Sequence, residues 1–416
     1  MSVAELQKWL KEISSSITQQ KRLHKQRLRD LEQSRSDVRR QLNELRDPLA
    51  RLPLEVSSEI FMQSLPPLGW IVPSPYRPPM LLLNVCNSWS DIALATPALW
   101  TNVDVLFPRA EGFEALLDRW FDRAKSRPLS IALGVEEGDL DEEIQLVVNE
   151  HAHRVETLEI NADSASSISD LKNPFPLLKT FHIRGFQSID LAVWLDILRL
   201  APNLHECIFP YPTYFHGRMK PEGLTLAHLH HLRLGEYMPL TVYCQGSCPF
   251  PYLTLPSLRT LAISSKIDID PNELSEFILR TRPPLKSLSI SPKFTDLSAQ
   301  TLNEFFRPLR IIELADLELV SDSVPETTAI LELLASGPQT ILPTLRTLTI
   351  SGLCPERIWY TTLLDTLRQC AHINEFRLHG DRYADDTYTV DDDIVSALRE
   401  LPTKIHVGRK GDRSLV

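Results

Sequence analysis

Between residues 155 and 378 the chain repeats one short phrase: an apolar residue, two variable positions, an apolar residue, one variable position and a third apolar residue. It reads Val155-x-x-Leu158-x-Ile160, Leu178-x-x-Phe181-x-Ile183, Leu204-x-x-Cys207-x-Phe209, Leu229-x-x-Leu232-x-Leu234 and Leu258-x-x-Leu261-x-Ile263. It continues as Leu285-x-x-Leu288-x-Ile290, Leu309-x-x-Ile312-x-Leu314, Leu345-x-x-Leu348-x-Ile350 and Ile373-x-x-Phe376-x-Leu378. The middle residues lie 23, 26, 25, 29, 27, 24, 36 and 28 positions apart. Apolar-x-apolar at the end of each phrase is the pattern of a strand with one buried face. Residues 127–133 look like an earlier, degenerate copy, and helical stretches at 273–280, 299–306, 327–335 and 360–370 fill several gaps. A strand plus a helix at this period predicts a solenoid with a parallel sheet. Three positions beyond each phrase stand Asp163, Phe186, Pro212, Tyr237, Lys266, Lys293, Leu317, Leu353 and Asp381. A regular leucine-rich repeat carries Asn or Cys there to satisfy inner-turn backbone groups. The expected fold over 108–410 is therefore an irregular, leucine-rich-repeat-like α/β horseshoe.

The first 47 residues have a different texture. They contain no Gly and no Pro, and Leu10, Ile17, His24, Leu31, Val38 and Leu45 recur every seven residues. The companion positions Ile13, Gln20, Arg27, Ser34 and Gln41 are mostly polar, so a strict heptad reading leaves an amphipathic helix with half a seam. Self-association through residues 1–47 and packing on the chain's own body fit this pattern equally well. A basic cluster of Lys21, Arg22, Lys25, Arg27 and Arg29 reads as a solvated helix face before it reads as a phosphate contact.

Residues 48–107 make a third zone. Pro48 ends the first helix, and Pro53 opens the next, where a missing N–H does no harm. Val56, Ile60, Phe61 and Leu65 share a face of that helix, and Pro66-Pro67 closes it. After a Pro-rich connector, Leu82, Val85, Cys86, Trp89, Ile92 and Ala93 form one stripe of a second predicted helix. Thr96-Pro97 then starts a short third element that ends on Leu99-Trp100. A unit this small buries a low fraction of its apolar surface, which makes it a docking element.

Composition narrows the function. With 416 residues, 43% hydrophobic and 24% charged, the chain has room for two or three globular domains. A net charge of -10 argues against a dedicated nucleic-acid binder. No apolar run is long enough to span a bilayer. Six scattered cysteines are no disulfide framework, which points to an intracellular protein of cytoplasm or nucleus.

The set Leu52-Pro53-x-Glu55, Ile60-Phe61, Val85-Cys86-x-x-Trp89-x-x-Ile92-Ala93 and Thr96-Pro97-x-Leu99-Trp100 resembles an F-box of the form common in fungal (basidiomycete-type) families. The N-terminal helix and the C-terminal repeats fit that architecture. The resemblance implies an α+β solenoid protein with an N-terminal helix (1–47), a three-helix F-box (48–107) and the repeats (108–410). It implies a non-enzymatic substrate receptor of an SCF-type cullin–RING ubiquitin ligase, acting in ubiquitin-dependent protein degradation. Leu52, Pro53, Ile60, Phe61, Val85, Cys86 and Trp89 would then bind the SCF adaptor, and through it the cullin, while the repeats hold a protein target. The alternative is a repeat-based interaction scaffold whose F-box-like unit no longer engages the adaptor.

Other chemistry is sparse. There is no phosphate loop, nucleophile elbow or His-Glu-x-x-His motif, and no catalytic, cofactor or metal site is expected. Cys244 and Cys248 with His228, His230 and His231 fit no compact zinc spacing. Asp385-Asp386 and Asp391-Asp392-Asp393 lack the Gly and closing Glu of a calcium loop, and Asp391 suits a helix cap. Two Pro-punctuated aromatic segments, 209–216 and 236–252, place Tyr211, Tyr214, Phe215, Tyr237 and Tyr243 on adjacent repeat edges as candidate target contacts. Gap-filling between repeats is the competing role for those rings.

Overall fold

The computed structural model describes residues 3–66, 73–107, 113–135, 148–161, 171–184, 189–209, 212–214, 222–235, 248–263, 271–291, 298–321, 323–335, 342–353, 357–380 and 391–408. They form two compact units. The first comprises Met1–Asp104 with Asp118–Arg127, and the second Val105–Leu117 with Pro128–Val416.

In the first unit, α1 (Val3–Arg46) is one continuous helix of 44 residues, as its lack of Gly and Pro predicts. Pro48 turns the chain, and α2 (Leu54–Gln63) follows with Pro53 at its N-cap. The carbonyl of Pro53 accepts from the amides of Val56 and Ser57, which starts the helical ladder. The expected shared face of α2 divides: Phe61 and Ser57 are buried, whereas Val56 and Ile60 point to solvent.

The single predicted helix through Leu82 and Ala93 is broken in two. Met80–Asn84 winds as a 3-10 segment, Cys86 is fully extended (φ −159°, ψ 174°), and α3 begins afresh at Asn87–Ala95. Side chains from α1 take up carbonyls freed at the break. Asn43 Nδ2 donates to the Val85 carbonyl at 2.9 Å, and Arg40 donates to the Leu83 carbonyl at 3.3 Å. The apolar stripe is real, but backbone groups outside it decide where the helix stops. Pro97–Trp100 is a further 3-10 turn, and Trp100 Nε1 closes it by donating to the Ala93 carbonyl at 3.0 Å. Trp100 stacks edge-on against Trp120 of α4 (Phe113–Arg123), 5.0 Å away, and the Arg123 guanidinium lies 4.4 Å over its ring.

The second unit is a 12-stranded sheet in the order β1-β2-β3-β4-β6-β9-β11-β12-β13-β14-β15-β16. These strands are β1 (Asn102–Phe107), β2 (Leu129–Val135), β3 (Val155–Asn161), β4 (Thr180–Arg184), β6 (Glu206–Phe209), β9 (His231–Leu234), β11 (Thr260–Ile263), β12 (Ser287–Ile290), β13 (Asp316–Val320), β14 (Thr347–Ser351), β15 (Glu375–His379) and β16 (Lys404–Gly408). The short strands β5 (Ile189–Asp190) and β7 (Pro212–Tyr214) pair with each other, as do β8 (Leu224–Thr225) and β10 (Leu253–Thr254). From β2 to β16 neighbouring strands run parallel, with the phrase residues in register: Leu158 beside Phe181, Cys207 beside Leu232, Leu261 beside Leu288. Helices at Leu191–Arg199, Pro271–Thr281, Ala299–Leu309, Val324–Ala335 and Arg357–Gln369 return the chain between strands. Their inward residues, such as Trp194, Phe277 and Trp359, are buried to within about 1% of their surface.

One phrase was misplaced by the sequence pattern. Leu309 is the last residue of a helix, and Ile312 sits in the turn after it. The strand is β13, whose Leu317 pairs with Leu288 and Leu348. With Leu317 as the middle residue, the uneven gaps of 24 and 36 become 29 and 31. Leu314-x-x-Leu317-x-Leu319 has the same form as Leu309-x-x-Ile312-x-Leu314, and the pattern alone cannot rank them.

At the entrance to each strand, main-chain bonds run from repeat to repeat. The amide of Lys179 donates to the Glu156 carbonyl, His205 to Lys179, His230 to His205, Arg259 to His230 and Lys286 to Arg259. The column continues through Ala315, Arg346, Asn374 and Lys404, each bond between 2.8 and 2.9 Å.

Candidate functional site

Two surfaces can carry recognition, one in each unit. The first is built on α2 and α3. Phe61 and Cys86 are each about 1% exposed, and the Phe61 ring packs 5.1 Å from Trp89 at 52°. Trp89 is half-buried and donates from Nε1 to Asp47 Oδ1 at 2.9 Å, while the Leu49 amide donates to the same oxygen. Burial pushes the Asp47 pKa up, but bonds from Trp89, the Leu49 amide and Ser88 outweigh it and hold the carboxyl below its ordinary value. Ser58 and Thr96 join α2 to the end of α3 by a 2.8 Å hydroxyl pair.

Around this core lie apolar side chains without cover: Leu52 at 40%, Leu54 at 48%, Val56 at 45%, Ile60 at 43%, and also Leu81 and Leu94. The seven predicted adaptor contacts thus divide by environment. Leu52, Pro53 and Ile60 are exposed, Val85 and Trp89 are half-buried, and Phe61 and Cys86 are core. Leu54 and Val56 belong with the exposed group, although the motif residues do not include them. The helical spacing from Val56 to Ile60 was the signal, since i,i+4 neighbours share a face.

The second surface is the polar face of the sheet. Each phrase buries its apolar positions and leaves the intervening ones outward, and register lines these up in rows. One row reads Thr157, Thr180, Glu206, His231, Thr260, Ser287, Asp316, Thr347, Glu375 and Lys404. The next reads Glu159, His182, Ile208, Arg233, Ala262, Ser289, Glu318, Thr349, Arg377 and His406, and of these His182, Ile208 and Thr349 are buried among their neighbours. His182 lies between Glu159 (3.5 Å) and Glu206 (3.3 Å), and the His182 bond chiefly holds the Glu159 carboxyl below its ordinary value. Glu318 accepts from Ser289 at 2.8 Å and from Ser351 at 3.0 Å. Just before this face begins, His205 and His230 stack with centroids 5.4 Å apart, beside His228 and Arg259. Burial first, then Arg259 and the three other histidines, lower the His230 pKa. Such a face offers hydrogen-bond donors, acceptors and both charge signs on a rigid frame.

Of the aromatic target contacts expected on the repeat edges, Tyr211, Phe215, Tyr237 and Tyr243 lie outside the described residues, and Tyr214 ends β7. Cys244 also lies outside them, and the described residues contain no group of three or more His, Cys, Asp or Glu side chains able to hold a metal ion. Asp391 does occupy an N-cap position, yet its carboxylate accepts from Arg357 at 3.2 Å instead of capping the helix. No helix among the described residues is long and apolar enough to cross a membrane.

No family model matches the chain, and no curated protein matches it. Among solved structures, a protein from Bacteroides fragilis aligns over 69% of this chain and 68% of its own length, at 16% identity and a TM-score of 0.36. The class of the fold, a helical unit with a parallel α/β repeat array, rests on the strand register described above.

Proposed function

We propose that this chain is the target-recognition subunit of an SCF-type cullin–RING ubiquitin ligase, with the α2–α3 unit docking the adaptor and the polar sheet face holding a protein target. The observation that carries this reading is the uncovered apolar group of Leu52, Leu54, Val56 and Ile60 around a packed Phe61–Trp89 core. Several exposed apolar side chains on so small a unit mark an interaction site, and Leu52 and Ile60 among them belong to the F-box resemblance. The role is non-enzymatic: holding a target near the charged conjugating enzyme raises its effective concentration there.

Direct binding to the purified SCF adaptor, measured by calorimetry, tests the reading. The wild-type chain should bind, and Val56→Asp with Ile60→Asp should weaken binding at least about tenfold, since each desolvated apolar anchor contributes 1 kcal/mol or more. Because both residues are exposed, the double variant should keep its melting temperature. A wild-type chain that does not bind the adaptor would sink the proposal and leave the scaffold reading.

A further inference from the structure

The face of α1 that fastens it to the rest of its unit is narrow. Arg40, Asn43 and Glu44 of α1, with Asp47 just past its end, bond to Leu83, Val85, Asn87 and Trp89, and the three α1 positions lie on one side of the helix axis. Val38, Leu42 and Leu45 lie on the opposite side, and Leu45 is 86% exposed. The fastened end therefore presents an apolar seam outward.

That seam is longer than a strict heptad reveals. Leu6, Leu10, Ile13 and Ile17 follow 4-3-4 spacing, and so do Leu28, Leu31, Arg35, Val38, Leu42 and Leu45 with alternating 3 and 4. The two halves are out of heptad phase by one extra step of four through Lys21 and His24, a stutter of the kind coiled coils absorb by local unwinding. All the apolar residues named in both halves are about half exposed or more. A helix about 66 Å long with such a stripe draws its stability from packing, not from propensity.

The pattern reads almost the same in both directions about His24. In an antiparallel pair, Leu6 meets Leu42, Leu10 meets Val38 and Ile17 meets Leu31, with each seam position of one kind facing the other kind, as antiparallel strands require. Arg35 then lays its aliphatic stem on Ile13. A parallel, in-register pair instead stacks Lys21 on Lys21 and Arg35 on Arg35, while His24 meets His24 in either arrangement. Sliding the antiparallel pair by one heptad shortens the overlap and leaves Leu6 in one direction, or Leu42 in the other, without a partner. A two-fold, self-complementary seam is what an isologous interface needs. Nine apolar side chains on each copy would bury roughly 1,500 Å² in total, the size of a stable interface.

We propose that α1 forms an antiparallel two-stranded coiled coil with a second copy of this chain, its dyad at His24. This does not rest on the adaptor reading. Light scattering of the full chain should give twice the 47.4 kDa chain mass at micromolar concentration. Ile17→Glu with Leu31→Glu should return it to a single-chain mass, with far-UV circular dichroism of the body retained. Under mild oxidation, Leu10→Cys mixed with Val38→Cys should yield an interchain disulfide at those positions, while neither variant links to itself there. A wild-type monomer, self-linking of Leu10→Cys, or preferential linking of Leu10→Cys to Leu45→Cys would each overturn the proposal.

Discussion

Phe61 and its neighbour Ile60 differ by one peptide bond and by their whole environment. Truncating Phe61 to Ala removes a ring that is 1% exposed and packed on Trp89, which should cost about 3–5 kcal/mol. Ile60→Ala should stay within about 1 kcal/mol, because surface substitutions rarely do more. Urea unfolding of the two variants measures the contrast. Asp47 supplies the pH-dependent part of the same unit. Its folded pKa is depressed, so its contribution to stability is complete above the ordinary carboxyl value of about 3.9 and disappears as pH falls through the folded value. Asp47→Asn should lower stability at pH 7 by about 0.5–1 kcal/mol, the scale of a partly exposed charge-assisted bond, and that difference should shrink as pH falls through the depressed folded value. A difference that does not shrink as the acid limb is titrated would mean that the charge is not what matters. Ser88 belongs to the same network because it is another partner lowering Asp47.

At the scale of elements, the sequence was most legible where one periodicity dominated. Every strand from β3 to β15 in the main sheet except β13 sits on its expected phrase, and the helices at 271–281, 299–309, 324–335 and 357–369 cover the expected stretches. Errors arose where two phases of one pattern overlapped, as at Leu314, or where distant groups decided the outcome. The break at Cys86 depends on Asn43 and Arg40, about forty residues earlier, and nothing local announces it. The exposed apolar residues of α2 were half legible for the same reason: the motif marks Phe61 and Ile60 alike, and only packing separates them. Two glycines leave strands with positive φ: Gly235 after β9 at +76°, and Gly352 after β14 at +89°, its amide donating to the His379 carbonyl at 2.9 Å. A Cβ there would meet the Ser321 carbonyl oxygen at an ordinary 3.5 Å, so the cost of Gly352→Ala is backbone strain alone. That cost should be about 1–2 kcal/mol by urea titration. A neutral result would show that the turn relaxes.

For the whole molecule, the repeat unit behaves as a stack in which each layer touches its neighbours. Stability in such a stack is a sum of layer and interface terms, so damage at an end is graded. Deleting residues 392–408 removes the last helix and β16 and uncovers Phe376 and Leu378, now fully buried. The expected result is a lower urea midpoint with a smaller m-value and a surviving cooperative transition. Complete unfolding of the remainder would show that the array is held from its end. The stack also explains why the polar rows escape a motif search. They are the variable positions of the phrase, defined by what they are not, and become a surface only when register aligns them.

The main-chain column from Glu156 to Lys404 has one more consequence. Its bonds join amide to carbonyl and ask nothing of the side chains at Lys179, His205, Arg259 or Ala315. A layer copied by gene duplication would therefore fit against its parent at once, and a layer lost would leave its former neighbours able to join. The array can change length in whole steps while its outward rows diverge freely. A lineage could retool what this frame holds without redesigning how it stands.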